Sequence, residues 1–520
     1  MNQPLTVDPV MQALFRHRLE SIAEEMGEAL GRSATSPNIK ERRDFSCAIF
    51  GPRGEFVAQA AHIPAHLGSM PMSVAAAIEK CEPAPGDVIL LNDPFAGGTH
   101  LPDLTMVTPV DAEDRIGFVA TRAHHQDIGG MSPGSMPLAV DTYQEGIAIP
   151  PVRIIRRGEW DEDLVGVIAR NVRVPEQFRA DLRAQAAANA IGASRLRVLD
   201  EREGRSFTEV AMAALIDYSE RVMRAAIAAI PDGVYRAEDV LESMAGPDAR
   251  IHIRVAVRIG EDEAVADFSG TDPQVAEPVN AVLPITVSAV LYCFLCLLDD
   301  EVPVNAGCFR PLRIDADAGS VVNALPPAAV SAGNVETSQR IVDVMFRALA
   351  QAVPDLVPAA GQGTMNNVTF GGYDPGRDAS FAYYETLGGG MGASPLSDGL
   401  SGVHVAMSNT LNTPVEALES ELPVEIRHYR LRKSSGGAGR QRGGDGLERS
   451  YRFLVPVRGS VVSERRAVAP WGLQGGSSGK PGRNTLNGIE FPAKAEFSAR
   501  AGDVLTIETP GGGGFGKDEG

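Results

Sequence analysis

A mixed α/β fold with more than one domain is the class that the sequence predicts. The chain has 520 residues, which is long for one hydrophobic core. Helical spacing of apolar residues alternates with short apolar strands, and the sequence becomes rich in glycine and turns from about residue 361. We therefore predict an N-terminal metal-site domain at 1–235, a middle α/β region at 236–360, and a glycine-rich C-terminal region at 361–520 that contributes to the pocket.

The N-terminal elements follow from local signals. Asp8 and Pro9 are typical of a helix N-cap followed by proline in the first turn, and apolar residues at helical spacing continue to Leu30. Apolar runs on either side of 51–54 predict a hairpin. Further strands are predicted at 88–91 and 115–121. Polar clusters follow both strands, where loops on a rigid scaffold often carry functional groups.

The later elements are predicted in the same way. Residues from about 176 to 230 have a helix-forming composition that ends at Pro231. A strand-rich section follows to Phe268, and helices are predicted at 285–298 and 338–352. Beyond residue 361 the pattern is one of short strands and many turns.

Charge and cysteine content narrow the classes of function. The formal net charge of -19 argues against nucleic acid and against an anionic membrane surface as partners. Five cysteines, an odd and small number, fit a reducing compartment. The N-terminal residues lack the basic and apolar segments of a signal peptide, and the longest apolar stretch, 285–298, is shorter than the ~20 residues of a membrane span. We therefore expect a cytoplasmic protein.

Histidine and aspartate cluster in the N-terminal third. His100 and Asp103 lie in the loop after the strand at 88–91, and His124 and His125 follow the strand at 115–121. Five of the nine histidines fall in one short stretch: His62, His66, His100, His124 and His125. Imidazole with carboxylate is a ligand set for Zn²⁺, Mn²⁺ or Fe²⁺. Spacing alone leaves equally open whether these histidines bind a metal or cap turns.

Other residues are weaker candidates for the same site. Taken alone, Asp44 is better explained as an ion-pair partner of Arg42 or Arg43 than as a ligand. Cys47 lies near the candidate site, but its apolar neighbours favour a buried strand over a nucleophile. Residues 474–481 lack the first glycine and the Ser or Thr of a phosphate loop, so tight turns explain the glycine-rich segments better than anion binding. Residues 385–393 and 403–410 form either a second pocket wall or hairpin turns.

Several long motifs resemble those of the hydantoinase B/oxoprolinase family. They lie at 41–48, 92–94, 97–103, 124–130 and 145–146, at 409–410 with Pro414 and Glu416, at 434–439, and in the glycine-rich tail. The resemblance extends over nearly the whole chain. It implies an enzyme: the metal-bearing B-type component of an ATP-dependent cyclic amide hydrolase that opens hydantoin, N-methylhydantoin, 5-oxoproline or another lactam.

The resemblance also implies site residues. The metal ligands would be Asp44, His100, Asp103 and His125, and the ion would be Zn, Mn or Fe. His124 and Asp127 would act in acid–base catalysis or orient the ligands. A divalent ion here would lower the pKa of a bound water toward ~7 and so supply a nucleophile at neutral pH.

A protein partner is implied as well. It would be a hydantoinase A-type chain of the sugar kinase/actin-like ATP-binding group, in a hetero-tetramer, and it would use ATP with Mg²⁺ to phosphorylate the carbonyl oxygen of the substrate. The lack of a phosphate loop in this chain agrees with that division of labour. Two alternatives stay open: a component of an ATP-dependent ketone carboxylase of the acetone or acetophenone type, and a non-enzymatic binding protein with a structural metal.

Overall fold

The computed structural model describes residues 7–60, 62–298 and 302–518. The first six residues, on which most of the prediction about a signal peptide falls, lie outside the described residues. Within the described ranges the α-helices are α1 Pro9–Ser33, α2 Pro37–Lys40, α3 Ser69–Cys81, α4 Glu162–Arg170, α5 Pro175–Glu203, α6 Arg205–Ala228, α7 Leu283–Leu295, α8 Ser338–Leu349 and α9 Val415–Glu421. No helix in these ranges is long and apolar enough to cross a bilayer.

The strands form four sheets. Their bounds are β1 Phe45–Phe50, β2 Phe56–Gln59, β3 Val88–Leu91, β4 Asp103–Asp111, β5 Arg115–His124, β6 Val152–Arg156, β7 Glu159–Trp160, β8 Gly233–Glu242, β9 Arg250–Gly260, β10 Glu263–Asp267, β11 Leu312–Asp315, β12 Asn367–Asp374, β13 Ala379–Glu385, β14 Val424–Arg432, β15 Gly446–Phe453, β16 Val457–Val462, β17 Arg483–Leu486, β18 Ile489–Phe491, β19 Lys494–Ala499 and β20 Val504–Glu508. The strand orders are β2-β1-β5-β4-β3-β6-β7, β11-β10-β9-β8, β13-β12-β16-β19 and β14-β15-β20-β17-β18. The predicted mixed α/β class is confirmed.

The seven-stranded sheet is covered on both faces. Helices α1 and α5 pack on one face, where Phe15 and Met26 join a core with Phe45 and Val119. Helix α3 packs on the other, where Val74 and its neighbours meet β1, β3 and β5. Burial on both faces explains why β3 is a continuous apolar run and β1 is mainly apolar.

The predicted N-terminal elements are present, with two differences. Helix α1 begins at Pro9, and the Asp8 side chain accepts a hydrogen bond from the Val10 amide. The helical stretch near 176–230 is divided into α5 and α6 at Gly204, which has a φ of 85°. Strand β5 extends beyond the predicted end, as far as His124, because it pairs along its whole length with β4, a strand that the sequence pattern does not predict.

The middle of the chain packs two helices on the second sheet. Helices α7 and α8 share one core with β8, β9 and β10. Residues Gly333–Thr337 form a π-helical turn that runs directly into α8. Such turns are rare and occur often at functional sites.

The glycine-rich segments pack backbone against backbone. The amide of Gly443 donates to Gly437 O, that of Gly437 to Gly512 O, and that of Gly512 to Gly444 O, at 2.8–2.9 Å. A Cβ atom added at Gly443 would lie 2.0 Å from Gly512 O. Because these amides already donate to carbonyl groups, they are not free to cradle an anion. The three predicted domain ranges stay predictions, and the cavity described below takes residues from all of them.

Candidate metal centre and active site

A buried carboxylate forms the centre of the candidate site. Asp103 begins β4 and His124 ends β5, and the antiparallel register places the two residues opposite each other. The carboxylate atom Oδ1 of Asp103 lies 3.1 Å from His100 Nε2 and 3.2 Å from His124 Nδ1. These three residues are buried and offer ligand atoms within 4.8 Å of one another, the only such group found among the described residues.

Three donors surround the other oxygen of Asp103. Thr99 Oγ1 donates to Oδ2 at 2.7 Å, His66 Nε2 lies at 3.3 Å and Asn334 Nδ2 at 3.4 Å. Burial alone would raise the pKa of Asp103, but the neighbouring His100, His124 and His66 imidazoles hold it well below its ordinary value. Asp103 is therefore a carboxylate that can only accept hydrogen bonds.

The tautomer of His100 follows from its partners. His100 Nδ1 lies 3.2 Å from the Ser331 carbonyl oxygen, so we assign the ring proton to Nδ1. In the neutral ring Nε2 then carries a lone pair, and it faces Asp103 Oδ1 although it is buried without a hydrogen-bond partner. Two acceptors at 3.1 Å repel unless a cation lies with them, either a proton on Nε2 or a metal ion.

The pKa values of His100 and His124 are shifted in opposite directions from the ordinary value of histidine. For His100, burial disfavours the charged ring, but the Asp103 carboxylate and the Ser331 carbonyl outweigh it and raise the pKa. For His124, burial dominates and lowers the pKa. His124 Nε2 also lacks a hydrogen-bond partner. His100, Asp103 and His124 offer ligand atoms within 4.8 Å of one another. Two imidazoles with a carboxylate are a donor set that a divalent cation takes, so the residues present fit such an ion.

Asp44, the residue immediately before β1, borders the same cavity. Its carbonyl oxygen accepts from the His124 amide at 3.0 Å, which places the two residues side by side. Its carboxylate lies 3.8 Å from Arg42, a buried side chain that also donates to Thr386 at 2.6 Å. Asp44 thus lies near Arg42, as expected of an ion-pair partner, and it also lines the cavity, as expected of a metal ligand.

The structure does not bring His125 to the cluster. Its Nε2 contacts Gln185 Oε1 at 2.8 Å, and its ring packs near Phe178, whose centroid is 5.3 Å away. His125 is the first residue after β5, and its side chain lies against α5, whereas His124 lines the cavity.

Asp127 also lies apart from the cluster. Its carboxylate accepts from the amides of Gly129, Gly134 and Arg173 and from the Arg173 guanidinium. These bonds fix the loop that follows β5. A carboxylate with this many donors has no free position for proton transfer.

The cavity is small and enclosed. It measures about 20 Å³, enough for roughly one water-sized species. Its lining comes from distant parts of the chain: Asp44, Ile63, Ala65, His66, His100, Asp103, His124, Asn334, Val335, Met365, Tyr384, Thr386, Met407, Ser408 and Thr410. Thr386 and three residues of 403–410 line the cavity, which supports the interpretation of 385–393 and 403–410 as a pocket wall.

Sequence reasoning misses part of this site. His66 stands out only as one of five clustered histidines, and no local signal assigns it a role. Asn334 and Tyr384 lie 231 and 281 residues beyond Asp103 in sequence (334 − 103 and 384 − 103), and no local pattern connects them to it. Cys47 is completely buried, and desolvation raises the pKa of its thiol, which argues against a nucleophile.

The fold and the cluster define a mixed α/β protein with an enclosed imidazole–carboxylate centre. A model of the hydantoinase B/oxoprolinase family matches residues 8–518. The chain belongs to this family.

Named relatives agree with that assignment. The chain is 38% identical to 5-oxoprolinase 1 of Arabidopsis thaliana, over 98% of this chain and 42% of that protein. It is 33% identical to a Pseudomonas protein named as the B component of a D-/L-hydantoinase, over 98% of this chain and 90% of that protein. The chain thus spans less than half of the plant protein but nearly all of the bacterial one.

Solved structures share the fold. The ATP-dependent caprolactamase from Pseudomonas jessenii superposes with a TM-score of 0.92 at 29% identity, over 99% of this chain and 92% of that chain. Acetone carboxylase in its nucleotide-free form superposes with a TM-score of 0.87 at 19% identity, over 98% of this chain and 76% of that chain. At 19% identity the second likeness shows the fold alone.

Proposed function

We propose that this chain is the B-type component of an ATP-dependent cyclic amide hydrolase, acting on a hydantoin, 5-oxoproline or another lactam. The observation that carries the proposal is the buried pair of acceptors, His100 Nε2 and Asp103 Oδ1, at 3.1 Å. Such a pair suits a divalent cation, and the relatives at 29–38% identity are named for lactam, oxoproline or hydantoin chemistry.

The proposed ligand set is revised from the one that the resemblance implies. His100, Asp103 and His124 would hold the cation, with Asp44 beside them, because these groups face one cavity. His125 would instead support the site through Gln185, and Asp127 would fix the loop after β5. His66 and Thr99 would hold Asp103 through its second oxygen.

The chemistry needs an activated carbonyl. Resonance makes an unstrained amide carbon a poor electrophile, and phosphorylation of its oxygen creates a better electrophile with a good leaving group. A divalent cation, Zn, Mn or Fe, would supply a water of lowered pKa as the nucleophile. The enclosing wall would exclude bulk water from the activated substrate. The cavity has room for roughly one water-sized species, which is less than a lactam ring needs. The proposal therefore requires this wall to move outward to admit a substrate.

ATP use is assigned to a partner. The glycine-rich segments that come closest to a phosphate-binding sequence donate their amides to one another. We therefore propose that ATP with Mg²⁺ is held by an A-type partner chain, which phosphorylates the substrate within a hetero-tetramer. In the longer plant relative, the part that this chain does not match would do the same in one polypeptide.

The test is to co-express the chain with an A-type partner and supply ATP, Mg²⁺ and each of 5-oxoproline, hydantoin and caprolactam. Ring-opened product and ADP should appear together in wild type. Ring opening should be lost in Asp103→Ala, whereas phosphorylation of the substrate by the partner does not need Asp103. ATP-dependent incorporation of labelled bicarbonate into a ketone, without ring opening, would instead identify a component of a carboxylase. A chain that binds metal but turns over neither substrate class would favour a structural ion.

A further inference from the structure

Asn334 lies in the cavity wall on an unusual piece of backbone. It is the second residue of the π-helical turn Gly333–Thr337, and the residue is 6% exposed. The turn is held tightly: a Cβ atom at Gly333 would lie 1.9 Å from Asn280 O. Backbone packing thus fixes the position from which Asn334 reaches the cavity.

The orientation of its amide is set by Asp103. The NH₂ group lies 3.4 Å from Asp103 Oδ2. Because Asp103 is a carboxylate and accepts only, the opposite orientation of the amide would place two acceptors together. The carbonyl oxygen Oδ1 of Asn334 must therefore point away from Asp103.

That oxygen has no partner. Asn334 Oδ1 is fully buried and accepts no hydrogen bond, although the residue lines the cavity. A buried carbonyl without a donor is costly, and native sites usually supply one from a ligand or a water. Asn334 Oδ1 is thus an acceptor whose donor must come from what the cavity receives.

We propose that Asn334 Oδ1 accepts a hydrogen bond from the ring N–H of the cyclic amide, and that it thereby selects lactams over ring esters. This inference rests on the proposed function. A lactam presents an N–H beside its carbonyl carbon, whereas a lactone presents an oxygen there, which would repel Oδ1. Phosphorylation of the carbonyl oxygen with the N–H retained leaves a positive charge shared by nitrogen and carbon. A hydrogen bond to Oδ1 stabilises that electrophilic form.

The experiment compares two substrates in the complex of this chain with an A-type partner. The substrates are the cyclic amide that the wild-type complex opens, chosen from 5-oxoproline, hydantoin and caprolactam, and its analogue with oxygen in place of the ring N–H, with uncatalysed hydrolysis subtracted. Asn334→Ala should lower kcat/KM for the lactam by about 10- to 100-fold. It should leave kcat/KM for the lactone equal to or above that of wild type, because the repulsion between Oδ1 and the ring oxygen is removed. Asn334→Ser, whose shorter hydroxyl can still accept a hydrogen bond, should lose less of the lactam preference.

Metal content separates recognition from a structural role. Asn334→Ala should keep the wild-type metal stoichiometry, measured by elemental mass spectrometry. An equal loss of activity on both substrates, or loss of metal, would overturn the proposal, because Asn334 would then act only by supporting Asp103. An unchanged lactam-to-lactone ratio would overturn it as well. If the wild-type complex opens none of 5-oxoproline, hydantoin and caprolactam, the proposed function fails, and this inference fails with it. That result is distinct from an active wild type with an unaffected variant.

Discussion

The ring of Tyr384 lies flat on the imidazole of His124, with centroids 4.4 Å apart and planes at 12°. The Tyr384 hydroxyl donates to Asn367 Oδ1 at 2.9 Å, and Asn367 in turn donates to Glu336 at 2.7 Å. A residue of β13 thus orients a residue of β5 through a stacked pair. The C-terminal half of the chain therefore fixes a ligand candidate that the N-terminal sheet supplies.

This stacking predicts a difference between two variants of Tyr384. Tyr384→Ala removes the ring and frees His124 to rotate, so the affinity for Zn²⁺ should fall by about 10- to 100-fold, as for other groups that orient ligands. Tyr384→Phe keeps the ring and should stay within about threefold of wild type in metal affinity while losing about 1 kcal/mol of stability with the hydroxyl contact. Metal titration by calorimetry measures the first effect and chemical denaturation the second. Equal metal affinities in the two variants would show that the ring does not orient His124.

Replacing His124 and replacing His125 should have opposite effects on the metal content of the chain. His124→Ala should remove the bound ion because His124 shares Asp103 with His100. His125→Ala should retain it, because His125 contacts Gln185 and lies outside the cavity. Elemental mass spectrometry on both purified variants, beside circular dichroism as a control for folding, decides between them. Loss of metal in His125→Ala alone would restore the ligand set that the family resemblance implies.

The scaffold of this site is more predictable from sequence than its contacts are. Periodicity places α1, the β1–β2 hairpin and β3, because their signals are local. Strand β4 escapes prediction since it begins at Asp103, inside a loop-like Gly/Pro-rich stretch. The choice between His124 and His125 depends on which face of β5 meets the cavity, and a strand whose two faces are both buried shows no polarity pattern to decide it. Asn334 and Tyr384 reach the site only through tertiary packing.

We expect Glu145 to influence metal binding by His100, because it holds the backbone of residues 330–331 that contacts His100. Its carboxylate accepts from the amides of Val330 and Ser331 at 2.9 and 2.8 Å, and the Ser331 carbonyl faces His100 Nδ1. Glu145→Gln retains an acceptor for both amides and should keep metal affinity. Glu145→Leu leaves two buried amides unpaired and should destabilise the chain by about 1–3 kcal/mol per lost partner and weaken metal binding. Metal titration of both variants is the measurement, and retained affinity in Glu145→Leu would contradict it.

We also expect Glu145 to make the stability of the folded chain depend on pH. Burial raises the pKa of Glu145 to about 7, against the hydrogen bonds from the 330–331 amides. Because the folded-state pKa lies above the unfolded value, near 4.5, the folded state binds the extra proton. The stability that this proton contributes is fully present below pH 4.5 and is lost as the pH rises through about 7. Wild type should therefore lose stability relative to Glu145→Gln between about pH 4.5 and 7, measured by urea denaturation of the metal-free chain. A pH-independent difference between the two would place the titration elsewhere.

Two glycine substitutions should change stability in opposite directions. A Cβ atom at Gly443 would lie 2.0 Å from Gly512 O and 2.7 Å from Gly513 O, and both obstacles are backbone atoms that a rotamer change cannot remove. Gly443→Ala should therefore destabilise the chain by about 1–3 kcal/mol or more. Gly166 is the matched control: it lies inside α4 and a Cβ atom there meets nothing within 4 Å. Gly166→Ala should stabilise the chain by about 0.5–1 kcal/mol because alanine favours the helix and restricts the unfolded state.

Thermal and urea unfolding of both glycine variants provide the comparison. A Gly443→Ala protein as stable as wild type would mean that the glycine-rich segments do not pack backbone against backbone. Their amides would then be free to bind a phosphate group, and ATP use by this chain itself would have to be tested with the isolated protein. A destabilised Gly443→Ala beside a stabilised Gly166→Ala would instead show that the close backbone contacts, and not a general sensitivity to alanine, require glycine there.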